Sequence, residues 1–218
     1  MRILDRFFRK PRAQSPLKTF LCALSFEQSA KTYHSVSDPA LRLPAALSVW
    51  ALHLAHRFAE GLHEMVHALD RSSAAQLDSA YDRVASEAAA LAHYWLVRDF
   101  LAANEIDDDD HPFFEVLKDA MQLSNSLLTK EAPAVVPEDW LLNRAMRYSH
   151  SETFKSNPVH EQFISHIVDV VNKVSDKQLA LPAQLALATY YPIFVSTHLE
   201  QFKKTAKAMY LAHQEGAL

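Results

Sequence analysis

The chain has 218 residues, 49% of them hydrophobic, with 22 basic against 26 acidic side chains and a net charge of -4; this is enough chain to bury a core, without the electropositive excess that drives binding to phosphate backbones, so nucleic acid is not an expected partner. A single cysteine, Cys22, excludes an intramolecular disulfide framework and fits a reducing, cytoplasmic setting. Only two glycines, Gly61 and Gly216, are present and no Asn-Gly or Asp-Gly pair, which argues against a hairpin-rich sheet protein.

The first residues, MRILDRFFRKPR, place Ile3, Leu4, Phe7 and Phe8 on one side of a short helix over 2–10, with Arg2, Arg6, Arg9 and Lys10 on the other. That is the pattern of a peripheral membrane contact, or of a flap docked on the protein's own surface. Asp5 interrupts the basic start and no small-residue cleavage site follows Phe26, so no cleavable leader is expected. Residues 1–14 read as an appendage to a single helical domain spanning 1–218.

Beyond it, apolar periodicity predicts an all-α bundle of about seven helices with no significant sheet. They lie over 16–34, 44–70, 73–103, 112–130, 138–149, 158–175 and 183–214. Pro16, Pro44, Pro112, Pro158 and Pro182 stand near their starts, where a missing N–H is harmless. In the first of them Cys22, within FLCALSF, reads as a small core residue.

The second helix carries the chemistry. At about 100° per residue, Leu54, Phe58, Leu62, Met65, Val66 and Leu69 share one side, while His53, His56, Glu60, His63, Glu64 and His67 form a ridge on another. Four of the chain's 12 histidines lie there. A polar ridge is what any amphipathic helix must present, so a solvated or interface-facing stripe is the plain reading.

His63, Glu64 and His67 also spell H-E-x-x-H, in which imidazoles four apart would grip one zinc ion and the glutamate between them would activate its water. Glu87 follows His67 by twenty positions. Together these resemble the spacing in zincin metallopeptidases of the glutamate-ligand type. The resemblance implies zinc as cofactor, His63, His67 and Glu87 as ligands and Glu64 as general base; it covers only this region, and no strand precedes residue 50. Glu60-x-x-His63 and Glu64-x-x-His67 also match the element of carboxylate-bridged di-iron bundles, which place it on two helices. Here both copies share one helix, and Asp82, Glu87 and His93 of the next do not repeat it.

Further along, EIDDDDH at 105–111 reads as a solvated acidic loop dividing two helical halves. The helix over 158–175 turns Phe163, Ile164, Ile167, Val168, Val171 and Val174 inward and His166, Asp169 and Lys173 outward, behind an Asn157-Pro158 start. From Gln178 to Leu199 no residue is charged; with its prolines and polar groups the stretch reads as a buried central helix kinked near Pro192, in preference to a membrane span. Lys203, Lys204 and Lys207 solvate the last helix.

No nucleophile elbow and no phosphate-cradling glycine loop is present. The expectation is a non-enzymatic interaction or scaffold protein that binds a protein partner or itself. The alternatives are a zinc hydrolase on the H-E-x-x-H helix and a pH- or metal-responsive histidine assembly.

Overall fold

Local capping decides where the helices start and stop. The computed structural model describes residues 15–102, 112–154 and 158–216, and the elements among them are all helical. The chain runs through α1 (Pro16–Cys22), α2 (Phe26–Ser35), α3 (Pro39–Leu69), α4 (Arg71–Ser79) and α5 (Tyr81–Ala102). It continues through α6 (Pro112–Glu131), α7 (Trp140–Phe154), α8 (Val159–Ser175), α9 (Leu181–Phe194) and α10 (Glu200–Gln214). A π turn at Val195–Leu199 joins α9 to α10, and with that pair taken as one rod the described residues hold nine helices.

The expected number was about seven, and two breaks account for the difference. Ser25 accepts a hydrogen bond from the Gln28 N–H and so begins α2 with only three residues between it and the end of α1; a capped new start is favoured over a strained continuation. Asp70 likewise caps α4 through Ser72 N, and the chain breaks again at Ala80 before α5. Asp38 accepts from Ala40 N with Pro39 in the first turn, so α3 begins five residues before the expected start and carries Pro44 in its interior.

The most buried helix is α5, not α9. Every residue from Val84 to Val97 is buried, and Ala85, Ala88, Ala89, Ala90 and Ala92 keep the cylinder thin enough for neighbours on all sides. α3 is enclosed in its first half, where Leu43, Leu47, Trp50, Ala51 and Leu54 are buried, and emerges on one side in its second half. There Phe58, Leu62 and Val66 stay buried, Met65 is half-buried, and Leu69, at the turn into α4, is exposed. In α8 Phe163, Ile167 and Val171 are buried, whereas Val174, one residue from the helix end, is exposed.

Two expectations are overturned. Cys22 is exposed, because the one inward stripe of α1 is taken by Leu17 and Leu21, four apart. The uncharged segment expected to be a central helix packs on α3 and α8 along one face only; its opposite face lies in solvent. Among the described residues no helix is long and apolar enough to cross a membrane.

The π turn has a packing cause. Along α9 and α10 the inward residues are Leu187, Tyr191, Phe194, Leu199, Phe202 and Ala206, an ordinary three- and four-residue rhythm except for the step of five between Phe194 and Leu199. An α-helix would turn one of these two away from the core; one wider turn keeps both inside.

Gly61 sets the approach of α9 to α3. A Cβ there would lie 2.0 Å from the Tyr190 hydroxyl oxygen and 2.7 Å from the ring carbon bearing it, while that ring packs on Phe58 at 5.4 Å and on Phe194 at 6.1 Å. Replacing a mid-helix glycine by alanine normally stabilises by up to about 1 kcal/mol. Here the displaced ring reverses the sign: Gly61→Ala is expected to destabilise the parent by about 1–2 kcal/mol, yet to stabilise a Tyr190→Ala background. A chemical-denaturation double-mutant cycle reads both signs, and an alanine that stabilises the parent as well contradicts this account.

Candidate functional site

The histidine ridge of α3 divides along its length. His53 is half-buried and its ring reaches the backbone of Leu24; burial pulls its pKa down. His56 Nδ1 lies 2.6 Å from the Tyr81 hydroxyl of α5, and burial lowers this imidazole too, against the pull of Glu60. One turn on, Lys18 of α1 stands 3.0 Å from Glu60 Oε1 and 3.2 Å from Asp78 Oδ1 of α4, with its ammonium 4.7 Å from the centre of the Tyr81 ring. Burial works against this ammonium, but hydrogen bonds to the two carboxylates outweigh it and raise its pKa. Burial, then Glu60, raises Tyr81. This half of the ridge is therefore a seam fastening α1, α4 and α5 to α3.

His63 closes the lower edge of that seam, lining a crevice of about 10 Å³ with Lys18, Glu60 and Tyr81. Glu64 and His67 lie in solvent. The His63 and His67 rings are 6.0 Å apart, as residues one turn apart must be. Glu87, expected from the zincin-like spacing as their third ligand, does not join them. Its carboxylate is buried in α5 and bound on one oxygen by Arg144 Nη2 at 2.5 Å and on the other by the Tyr148 hydroxyl at 2.9 Å, both from α7. Among the described residues no three His, Cys, Asp or Glu side chains are grouped to hold a metal ion. The physical reason is rotational: on α5 Glu87 points to α7, whereas α5 meets the ridge of α3 through Tyr81. Ile3, Leu4, Phe7 and Phe8, and the 105–111 loop, lie outside the described residues.

Two polar networks were not foreseen. Glu87, Arg144 and Tyr148 form the first, in which Arg144 also lies 5.6 Å from the centre of the Trp140 ring. Burial, then the Glu87 charge, raises the Tyr148 pKa well above its ordinary value, so this hydroxyl keeps its proton and donates it. The second crosses the middle of the fold. His93 Nε2 is 2.8 Å from Ser124 Oγ of α6, which donates to Ser48 Oγ of α3 at 2.9 Å; with that donation fixed, the imidazole gives its Nε2 proton to Ser124. All three side chains are buried, and burial lowers the His93 pKa to about 3. The ring is a neutral strut between three helices.

The surface offers a different kind of site. On α9, Leu181 is 66%, Leu185 58% and Ile193 49% exposed, and Ala188 and Pro192 beside them are exposed as well. Leu181, Leu185, Ala188 and Pro192 recur at three- and four-residue spacing and so form one stripe. No charged residue interrupts it from Gln178 to Leu199. Scattered apolar side chains are ordinary on a protein surface; a continuous uncharged stripe marks an interaction face.

Comparison with protein-family models, with curated proteins and with solved structures returns no match to this chain.

Proposed function

We propose that this chain is a helical protein-interaction protein and that the outer face of α9 is its contact surface. The observation that carries the reading is the exposed, charge-free stripe of Leu181, Leu185, Ala188 and Pro192 on a helix whose other face is already packed. Burying such a face against apolar surface is favourable at about 25 cal/mol per Å², and because it holds no charge, no ion has to be desolvated on contact. A second copy of the chain is the occupant that fits. Two molecules of net charge -4 repel over most of their surfaces, but two α9 faces meet without like charges between them, and antiparallel pairing about a two-fold axis buries the same stripe on both sides.

Sedimentation velocity over a range of concentrations tests this. The parent is expected to gain mass with concentration, and Leu181→Asp/Leu185→Asp to remain a monomer with unchanged far-ultraviolet dichroism, since neither side chain supports the core. A parent that stays monomeric at the highest concentration, or a double variant that associates as the parent does, overturns the reading.

A further inference from the structure

A cleft of about 990 Å³ opens between α7 and α8. From α7 it takes Trp140, Asn143, Arg144, Arg147 and His150, residues three and four apart that share one helix face. From α8 it takes Gln162 and His166, one turn apart. A second cleft of about 440 Å³ lies on the other side of the same Trp140–Arg144 pair and adds Arg83 and Lys173.

The charge here runs against the rest of the molecule. Arg83, Arg144, Arg147 and Lys173 line the two clefts with Glu87 and Glu138, and Asp169 adds a third acid beside His166, so the basic groups stay in excess here in a chain of net charge -4. Glu87 is buried and already bound by Arg144 and Tyr148, and Glu138 is exposed at the rim. Arg147 is exposed and has no acidic partner among the described residues. Arginine is a donor only, the Asn143 amide and the His166 imidazole can donate as well as accept, and among the residues lining the larger cleft Glu138 alone is an obligate acceptor.

Trp140 adds a flat apolar surface. It is half-exposed, while Trp50 and Trp95 are buried. Arg144 sits over its ring on one side at 5.6 Å and is held there by Glu87, so the guanidinium is anchored before any ligand arrives. A buried ion pair of this kind is a weak source of stability; fixing a cation at the floor of a cleft is a use that stability does not explain.

We infer that the α7–α8 cleft binds a small anion, phosphate or carboxylate, carried on a planar ring, with Arg147 and the neighbouring donors on the anion and Trp140 against the ring. Arginine suits both anions because its fork meets two oxygens at once, and a ring on tryptophan adds stacking. This site is independent of α9 and of whether the chain associates.

Intrinsic tryptophan fluorescence reads it directly, because Trp140 is the tryptophan a ligand in this cleft would touch. Adenosine monophosphate and benzoate are the two probes, with adenosine as the uncharged control. At least one anion is expected to give a saturable change that weakens as salt rises, while adenosine binds at least tenfold more weakly than the monophosphate. Response to the monophosphate alone assigns the site to phosphates, response to benzoate alone to carboxylates, and response to both to the wider class. Arg147→Glu, an exposed position where folding is not at stake, is expected to weaken binding at least tenfold by calorimetry at unchanged melting temperature. Absence of a saturable response to either anion, or equal affinity in Arg147→Glu and parent, overturns the inference.

Discussion

Arg144→Met is expected to lower the stability of the protein by roughly 3–5 kcal/mol, among the largest effects of any single substitution in it. Arg144 Nη2 lies 2.5 Å from a carboxylate that is 2% exposed. Removing the guanidinium leaves Glu87 buried with only the Tyr148 hydroxyl to satisfy it, and an ion without its counterion in a low-dielectric interior is far more costly than the pair was valuable. The same reasoning predicts how the loss is recovered. Glu87→Met combined with Arg144→Met removes both charges, and apolar replacements of buried pairs are often neutral or stabilising. The double variant is therefore expected to regain most of the stability lost in Arg144→Met. Urea denaturation of the parent, both single variants and the double variant gives the coupling directly; additive losses would show that the contact contributes nothing beyond its separate parts.

Acidification is expected to unfold the protein through His93. Burial holds the folded-state pKa at about 3, whereas an unfolded histidine titrates near 6.5. Between those values the unfolded chain takes up a proton that the folded chain refuses, so stability is fully present above about pH 6.5 and falls as the pH falls. The slope from one such group is about 1.4 kcal/mol per pH unit, and the loss approaches roughly 4–5 kcal/mol at the bottom of the window. His53, His56, His166 and His198 are lowered too, each first by burial, so they push the same way, but water reaches these half-buried rings and softens their share. Stability measured by denaturant titration at steps from pH 7.5 to 4 is expected to drop steeply below about 6.5. In His93→Gln, which keeps a donor for Ser124 and cannot titrate, that slope is expected to become shallower. An unchanged slope would mean that protonation of His93 is not what the fold resists.

The class of fold was legible because apolar residues repeat at helical spacing over most of the chain; Phe163, Ile167 and Val171 are buried where that rhythm puts them. The helix number and the start of α3 were misjudged at positions where short-range signals were also present in the sequence. Ser25 stands three residues before Gln28 in a capping-box pattern, and Asp38-Pro39 is a cap followed by a proline; apolar periodicity passed over both. Burial was harder to read. The α5 stretch from Val84 to Val97 and the run from Gln178 to Leu199 are both nearly free of charge, yet one is the inner rod and the other has an open face. Alanine content separates them, since small side chains admit neighbours from every direction, but absence of charge alone does not say which side of a helix is covered.

The candidate sites were less legible than the fold. The ridge on α3 was visible as a stripe, but helical spacing gives only angles about one axis; which neighbouring helix covers which arc depends on contacts between residues far apart in sequence, such as Lys18 with Glu60 and Asp78. For the same reason Glu87 looked available. Its partners, Arg144 and Tyr148, lie 57 and 61 positions away, beyond the reach of any local pattern. The cleft donors on α7 did carry a local signal, the recurrence of Trp140, Arg144 and Arg147 on one face, but that spacing does not say which neighbouring helix stands across from it.

The wide turn at Val195–Leu199 has one further implication, for how this architecture tolerates changes in length. An α-helix advances about 100° with each residue, so one surplus residue in a regular rod would swing everything after it round the axis and carry Phe202 and Ala206 to the outside. Confined to a single loosened coil, the surplus is absorbed where it occurs, and the downstream half keeps the angular phase of a rod one residue shorter. The C-terminal segment is thus locked in orientation, though not in residue count, relative to the layers it seals.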